Sequence, residues 1–163
     1  MPDCLEAFLD IETTGLYPGE DKITVVGIHL FKGRGARFIQ LVGNDVTVEN
    51  VLEALRGVSV IYTYNGRRFD LPFIRLCLGI NLARLFAHRD LMYDCWGKNL
   101  YGGLKSVERQ LGIPRRLKGV DGCEAVRLWW RYVYHNDELA LAKLLEYNRE
   151  DVLNLKTLKE MLL

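Results

Sequence analysis

The stretch Phe8-Leu9-Asp10-Ile11-Glu12-Thr13-Thr14-Gly15-Leu16 sets two carboxylates two residues apart inside an apolar run. Side chains alternate along a strand, so Asp10 and Glu12 share one face while Leu9 and Ile11 share the other. Two like charges held side by side near a core repel each other and resist ionisation. A hard divalent cation between them removes that conflict, because such ions prefer carboxylate oxygens. An edge strand with its polar face in water accounts for the pair equally well, so the remainder of the chain has to decide.

Outward from this pair, Leu5–Ile11 reads as a strand and 13–19 as a loop closing on Pro18-Gly19. Ile23–Phe31 is β-branched and apolar, Lys32-Gly33-Arg34-Gly35 turns the chain, and Arg37–Val42 forms a third strand. The three make an antiparallel meander. Thr47 caps a helix over Val48–Arg56, stopped by Gly57, and Val58–Thr63 is a further strand. Asp70 before Leu71-Pro72 has the pattern of an N-cap with an early-helix proline, and that helix runs to Leu78. A short strand is expected at Asp90–Tyr93. Helices then follow over Leu104–Leu111, Glu124–Tyr134 and Asp137–Leu162. The fold class is α/β: a mixed sheet, with the meander joined by parallel strands and flanked by helices.

The 163 residues fit a single domain over 1–163, with 49% hydrophobic and 26% charged residues, as in soluble globular proteins. Pro2, Asp3 and Glu6 interrupt any apolar leader, and no run is long enough to cross a bilayer. Cys4, Cys77, Cys95 and Cys123 contain no Cys-x-x-Cys pair, which argues against a zinc ribbon or disulfide framework and for buried thiols in a cytoplasmic protein. The net charge of +1 conceals an asymmetry: residues 64–131 hold 13 Lys/Arg against 6 Asp/Glu. Such a basic segment suits a phosphate-bearing partner or, equally, solvated helix faces.

Two further segments belong with the opening pair. Tyr64-Asn65-Gly66-Arg67-Arg68-Phe69-Asp70 sets an acid at a strand-to-helix junction. Tyr147-Asn148-Arg149-Glu150-Asp151 puts Tyr147 and Asp151 one helical turn apart on one face. In this order the three segments resemble the DEDD superfamily of 3′–5′ exonucleases, in its Tyr (DEDDy) subclass, over about residues 5–160. Within it, Asn65-Gly66-x-x-Phe69-Asp70, Leu104-Lys105-Ser106-Val107-Glu108 and Tyr147-Asn148-x-Glu150-Asp151-Val152 look closest to the YprB-type ribonuclease H-like domains.

The resemblance implies a ribonuclease H-like fold and hydrolysis at the 3′ end of single-stranded DNA or RNA by two ions, Mg²⁺ or Mn²⁺. It implies that Asp10, Glu12, Asp70 and Asp151 hold the metal and that Tyr147 orients the attacking water. Asp10 bridges both ions, Glu12 and Asp151 hold the nucleophile-side ion, and Asp70 acts at the second ion or its waters. Thr13, Gly15 and Leu16 meet the terminal nucleotide, and Asn65 and Lys105 the strand or its phosphate. Asp70 as a simple helix cap, Asn65 as a turn former and Ser106 as a cap are the local alternatives. His88 and Asp90 read as supporting residues, and Trp96, Trp129, Trp130, Tyr132 and Tyr134 as packing aromatics with base stacking second. A structure-specific endonuclease and a non-cleaving nucleic-acid-binding domain are the rival functions. A protein partner or oligomer is compatible with either, and no membrane partner is expected.

Overall fold

A computed structural model describes residues 4–163; Pro2 and Asp3 lie outside them. The strands β1 (Leu5–Thr13), β2 (Ile23–Lys32), β3 (Gly35–Val42), β4 (Val58–Thr63) and β5 (Ala87–Asp90) form a five-stranded sheet in the order β3-β2-β1-β4-β5. β1 pairs antiparallel with β2, and β2 with β3; β1 and β4, and β4 and β5, run parallel. This is the mixed α/β sheet that the sequence predicts, with β1 at its centre.

The pleat sorts β1 between two cores. Ala7, Leu9 and Ile11 pack with Val26, Ile28, Val51, Leu55, Phe73 and Ile74, beneath α1 (Val48–Ala54) and α2 (Asp70–Leu78). Phe8 points the other way, into a cluster with Leu91, Cys95, Val107, Val152 and Leu155. That face is covered by α4 (Leu91–Gly97), α5 (Leu104–Leu111) and the long α7 (Glu138–Leu162). A third cluster joins Val25 and Val120 to α6 (Gly122–His135) and α7 through Leu128, Leu144 and Tyr147. Each fully buried large apolar side chain contributes roughly 1.5–3 kcal/mol over leaving it in water. Since Asp10 and Glu12 follow Phe8 at intervals of two, they emerge on the α7 side.

Local chemistry explains where elements begin. Thr47, Asp121 and Asp137 accept from the amides of Asn50, Glu124 and Ala140 and so cap α1, α6 and α7. The expected strand at Asp90–Tyr93 is wrong by one element. Ala87–Asp90 is the strand, and Leu91 opens α4, because the Asp90 carboxylate accepts from Met92 N at 3.1 Å and caps the helix. α3 (Leu82–Leu85) is one short turn that the sequence pattern does not signal. Ser106 is not a cap either: Gly103 holds that position on α5, and Ser106 Oγ takes the Gln110 amide.

The aromatics of α6 are not uniformly packed. Trp129 joins the third core cluster, whereas Trp130 and Tyr134, 72% exposed in the latter case, stack on each other at the surface. Of the cysteines only Cys95 is buried, and all four are free thiols. Among the described residues, no helix is long and apolar enough to cross a membrane.

Candidate active site

β1 and α7 meet where the sheet opposes Asp10 with Gly27 and Glu12 with Val25. One oxygen each of Asp10, Glu12 and Asp151 lies within 4.8 Å of the others. At an effective dielectric constant of about 20, ionised carboxylates at that spacing repel by roughly 3–4 kcal/mol per pair. Protons or a cation are needed to hold them together. Glu12 Oε1, buried, accepts no hydrogen bond among the described residues, and Asp151 Oδ1 is met only by the Arg115 guanidinium. Oxygen-only donors this close together, one of them unpartnered, fit a hard divalent cation.

Burial raises the carboxyl groups of Asp10 and Glu12 well above the usual range, and the charge on Asp151 adds to both. Burial likewise raises Asp151, against the pull of Lys105 and Arg115. Asp70 sits behind this trio. The sequence reading makes it an N-cap, but Phe69 holds that position and Asp70 is the first residue of α2. The preceding turn supplies the helix with backbone acceptors, Asn65 O for Phe69 N and Gly66 O for Leu71 N, so the Asp70 side chain is released. Its Oδ1 accepts from Ile11 N of β1 at 3.1 Å, and burial pushes it up to about 7.

Asp10 is fixed from the side by Asn148. The fully buried Asn148 amide donates to both Asp10 O and Asp10 Oδ2 at 3.2 Å, and its own Oδ1 accepts from Gln40 Nε2 at 3.0 Å. Gly27 makes this approach possible: a Cβ there would collide with Asn148 Oδ1. Asp151 is approached from the other side by Arg115, whose Nη2 lies 2.5 Å from Oδ1 as an ion pair. Arg115 itself is clamped by Glu108 through two bonds of 2.9 and 2.7 Å. Asn154 Nδ2 donates to the same Glu108 at 3.0 Å.

Tyr147 is buried and its hydroxyl accepts from Lys105 Nζ at 2.5 Å, with that ammonium also 4.3 Å from the ring centre. Burial and then the Asp151 charge raise the phenol, so it stays neutral. Lys105 therefore faces the carboxylates rather than open solvent. The loop after β1 is folded on Asp21, which accepts from Thr14 Oγ1 and Tyr17 N at 3.1 and 3.0 Å. Thr13 Oγ1 donates to Gly15 O at 2.6 Å, and a Cβ at Gly15 would displace the Asp21 carboxylate from these bonds. Leu16 projects from this loop, 73% exposed. Asn65 adopts φ 60°, a turn conformation, and donates its backbone N–H to Asp90 Oδ1 at 2.8 Å.

A sequence-family model described as the RNase_H superfamily matches residues 7–163. The chain belongs to the RNase H superfamily. An uncharacterized protein of Methanocaldococcus jannaschii, MJ0365, is 31% identical over 162 residues, covering 90% of this chain and 89% of the relative. Uncharacterized protein YprB of Bacillus subtilis is 29% identical over 175 residues; the match takes in 93% of this chain but spans only 40% of YprB. NrnC of Brucella melitensis, solved with bound pGG, is 25% identical with a TM-score of 0.64, covering 96% of this chain and 71% of that one. The same protein with bound Mg²⁺ matches equally well.

Within this RNase H-like fold, the structure brings Asp10, Glu12 and Asp151 together, with Tyr147 one turn from Asp151. Asp70 stands apart from that trio. Asn148, Gln40, Arg115 and Glu108 escape the sequence reading. Asn148 and Glu108 lie inside motifs that the sequence itself displays, so their positions are available there though their bonds are not; Gln40 meets Leu145 and Asn148, and Arg115 meets Asp151, across elements, and neither carries a local signal.

Proposed function

We propose that the protein is a metal-dependent 3′–5′ exonuclease of the DEDDy type, a single domain over 1–163 that acts in the cytoplasm on the 3′ end of single-stranded DNA or RNA. The observation that carries this reading is the convergence of Asp10, Glu12 and Asp151, with the buried Glu12 Oε1 unpartnered, beside the neutral Tyr147 hydroxyl. The likeness to NrnC, solved with pGG and with Mg²⁺, supports it.

Asp10, Glu12 and Asp151 would hold one ion, Mg²⁺ or Mn²⁺, and Asp10 with Asp70 would serve a second or its waters. Such a pair supplies a hydroxide nucleophile at neutral pH and neutralises the leaving oxygen. Asn148 fixes the Asp10 carboxylate, so little reorganisation is needed on loading. Tyr147 is no base, since its pKa lies above the ordinary phenol value of about 10. Its oxygen is occupied by the Lys105 ammonium, which leaves its own O–H free to orient water. Lys105 sets a positive charge where a scissile phosphate brings a negative one. Leu16, exposed on the loop shaped by Thr13 and Gly15, meets the terminal base, and Asn65 the strand.

The test is incubation with 5′-labelled single-stranded DNA and RNA in Mg²⁺, Mn²⁺ or chelator. The expected outcome is a metal-dependent ladder of 3′-shortened products. Internal cuts point instead to an endonuclease, and absence of cleavage with either metal removes the enzymatic reading.

A further inference from the structure

We propose that the groove between α2, β5 and α4 is a binding surface for single-stranded nucleic acid, taking phosphates on Arg67 and Arg75 and a base against Tyr93. The groove has a volume of about 810 Å³ and an apolar floor that includes Leu71, Pro72 and Phe86. Its acids are already engaged. The Asp90 carboxylate accepts backbone N–H groups from Asn65, Arg67 and Met92 at 2.8, 3.0 and 3.1 Å. Asp94 takes both Nε and Nη2 of Arg89 at 2.9 and 2.7 Å. Arg67 and Arg75, both exposed, make no ion pair among the described residues, so the groove presents two uncompensated cations.

An aromatic element completes the pattern. Tyr93 packs edge-on against Trp96 at 5.1 Å, and the Arg68 guanidinium lies 5.9 and 5.5 Å from the two ring centres. The Tyr93 ring, which lines the groove beside the free Arg67 and Arg75, matches the alternation of bases and phosphates in a single strand. An acidic peptide would use the arginines but not the rings. The loop that carries Arg67 runs directly into Asp70, so on the exonuclease reading a strand lying here is led towards the Asp70 side of the site. Only that last point rests on the exonuclease reading; binding in the groove does not.

The test measures anisotropy of a 5′-fluorescein single-stranded 12-mer, DNA or RNA, with the full chain in chelator. Arg67→Ala/Arg75→Ala is expected to weaken affinity about tenfold and to reduce the slope of log K against log salt by about 1.4, or 0.7 per phosphate. Tyr93→Ala is expected to weaken binding about fivefold or more with the slope unchanged. Unchanged affinity and slope in the double variant overturn the proposal. So does polyglutamate competing as well as unlabelled oligonucleotide, which marks the groove as a site for acidic protein. Arginine-dependent binding without cleavage in Mn²⁺ sinks the exonuclease reading and leaves the groove standing; cleavage with unaltered binding by the double variant does the reverse.

Discussion

Glu150 and Asp151 are neighbours on α7, yet their carboxylates live under opposite conditions. Glu150 accepts the Arg116 and Leu117 amides at 2.6 and 3.0 Å, one on each oxygen. Asp151 is as buried but accepts no backbone amide among the described residues; its Oδ1 meets only the Arg115 guanidinium, in the company of Asp10 and of Glu12, whose Oε1 has no partner. The same contrast separates Glu108, bound twice by Arg115 and once by Asn154, from Glu12. Buried polar groups are ordinarily satisfied, so a satisfied acid reads as scaffold and an unsatisfied one as a place kept for something else. Arg115 touches both kinds and joins them.

The contrast predicts opposite responses to substitution. Asp10→Ala or Asp151→Ala is expected to lower 3′-end cleavage by about 10³-fold or more. The thermal midpoint in chelator should hold or rise, since repulsion in the cluster is relieved. A variant that keeps full turnover ends the role given to its residue. Glu108→Ala should do the reverse. It removes both bonds that clamp the buried Arg115 guanidinium and leaves it only its Asp151 contact, which costs about 2–3 kcal/mol and lowers the midpoint by about 5–10 °C. If Glu108→Ala is thermally silent while Asp151→Ala unfolds, scaffold and reserve have been assigned the wrong way round.

Acidity offers a finer probe. With Asp70 pushed up to about 7, the folded chain holds a proton that the unfolded chain releases near pH 4. Stability is therefore greatest below that lower value and is lost as pH rises towards 7. Asp10, Glu12 and Asp151 act in the same direction. In chelator the thermal midpoint should fall between pH 5 and 8. Asp70→Asn, which keeps an acceptor for Ile11 N, should recover about 3–6 °C at the upper end, and Mn²⁺ should do so for the unaltered protein. A midpoint that climbs with pH in chelator contradicts the raised carboxyls. The smallest effect is expected from Tyr147→Phe: slowing by about tenfold, measured in single turnover, with metal affinity unchanged. Wild-type rates would rule out water orientation by the hydroxyl.

The sheet is largely legible in the sequence, because β1 to β4 carry apolar runs bounded by turn residues. β5 is not: Ala87-His88-Arg89-Asp90 is a strand only through pairing with β4. The apolar Leu91-Met92-Tyr93 beside it resembles a strand until the Asp90 cap is known. In the candidate site, Asp10 with Glu12 and Tyr147 with Asp151 could be found because strand and helix periods make each pair local. Asp70 was placed at the right junction but given a capping bond it does not make. Gln40 and Arg115 carry no sequence signal, since each acts across elements that only the fold brings together, and Glu108 stands in a quoted motif without its role being readable there.

The bare backbone at Gly27 has a consequence for how this chain can change. Asn148 reaches Asp10 through space that any side chain at position 27 would fill. A mutation there cannot be absorbed by itself, and shortening Asn148 to make room would leave Asp10 and Gln40 without their partner. The two positions, remote in sequence and carried by different elements, are bound to a joint evolutionary fate: descendants that retain the acid pair inherit both or re-engineer both.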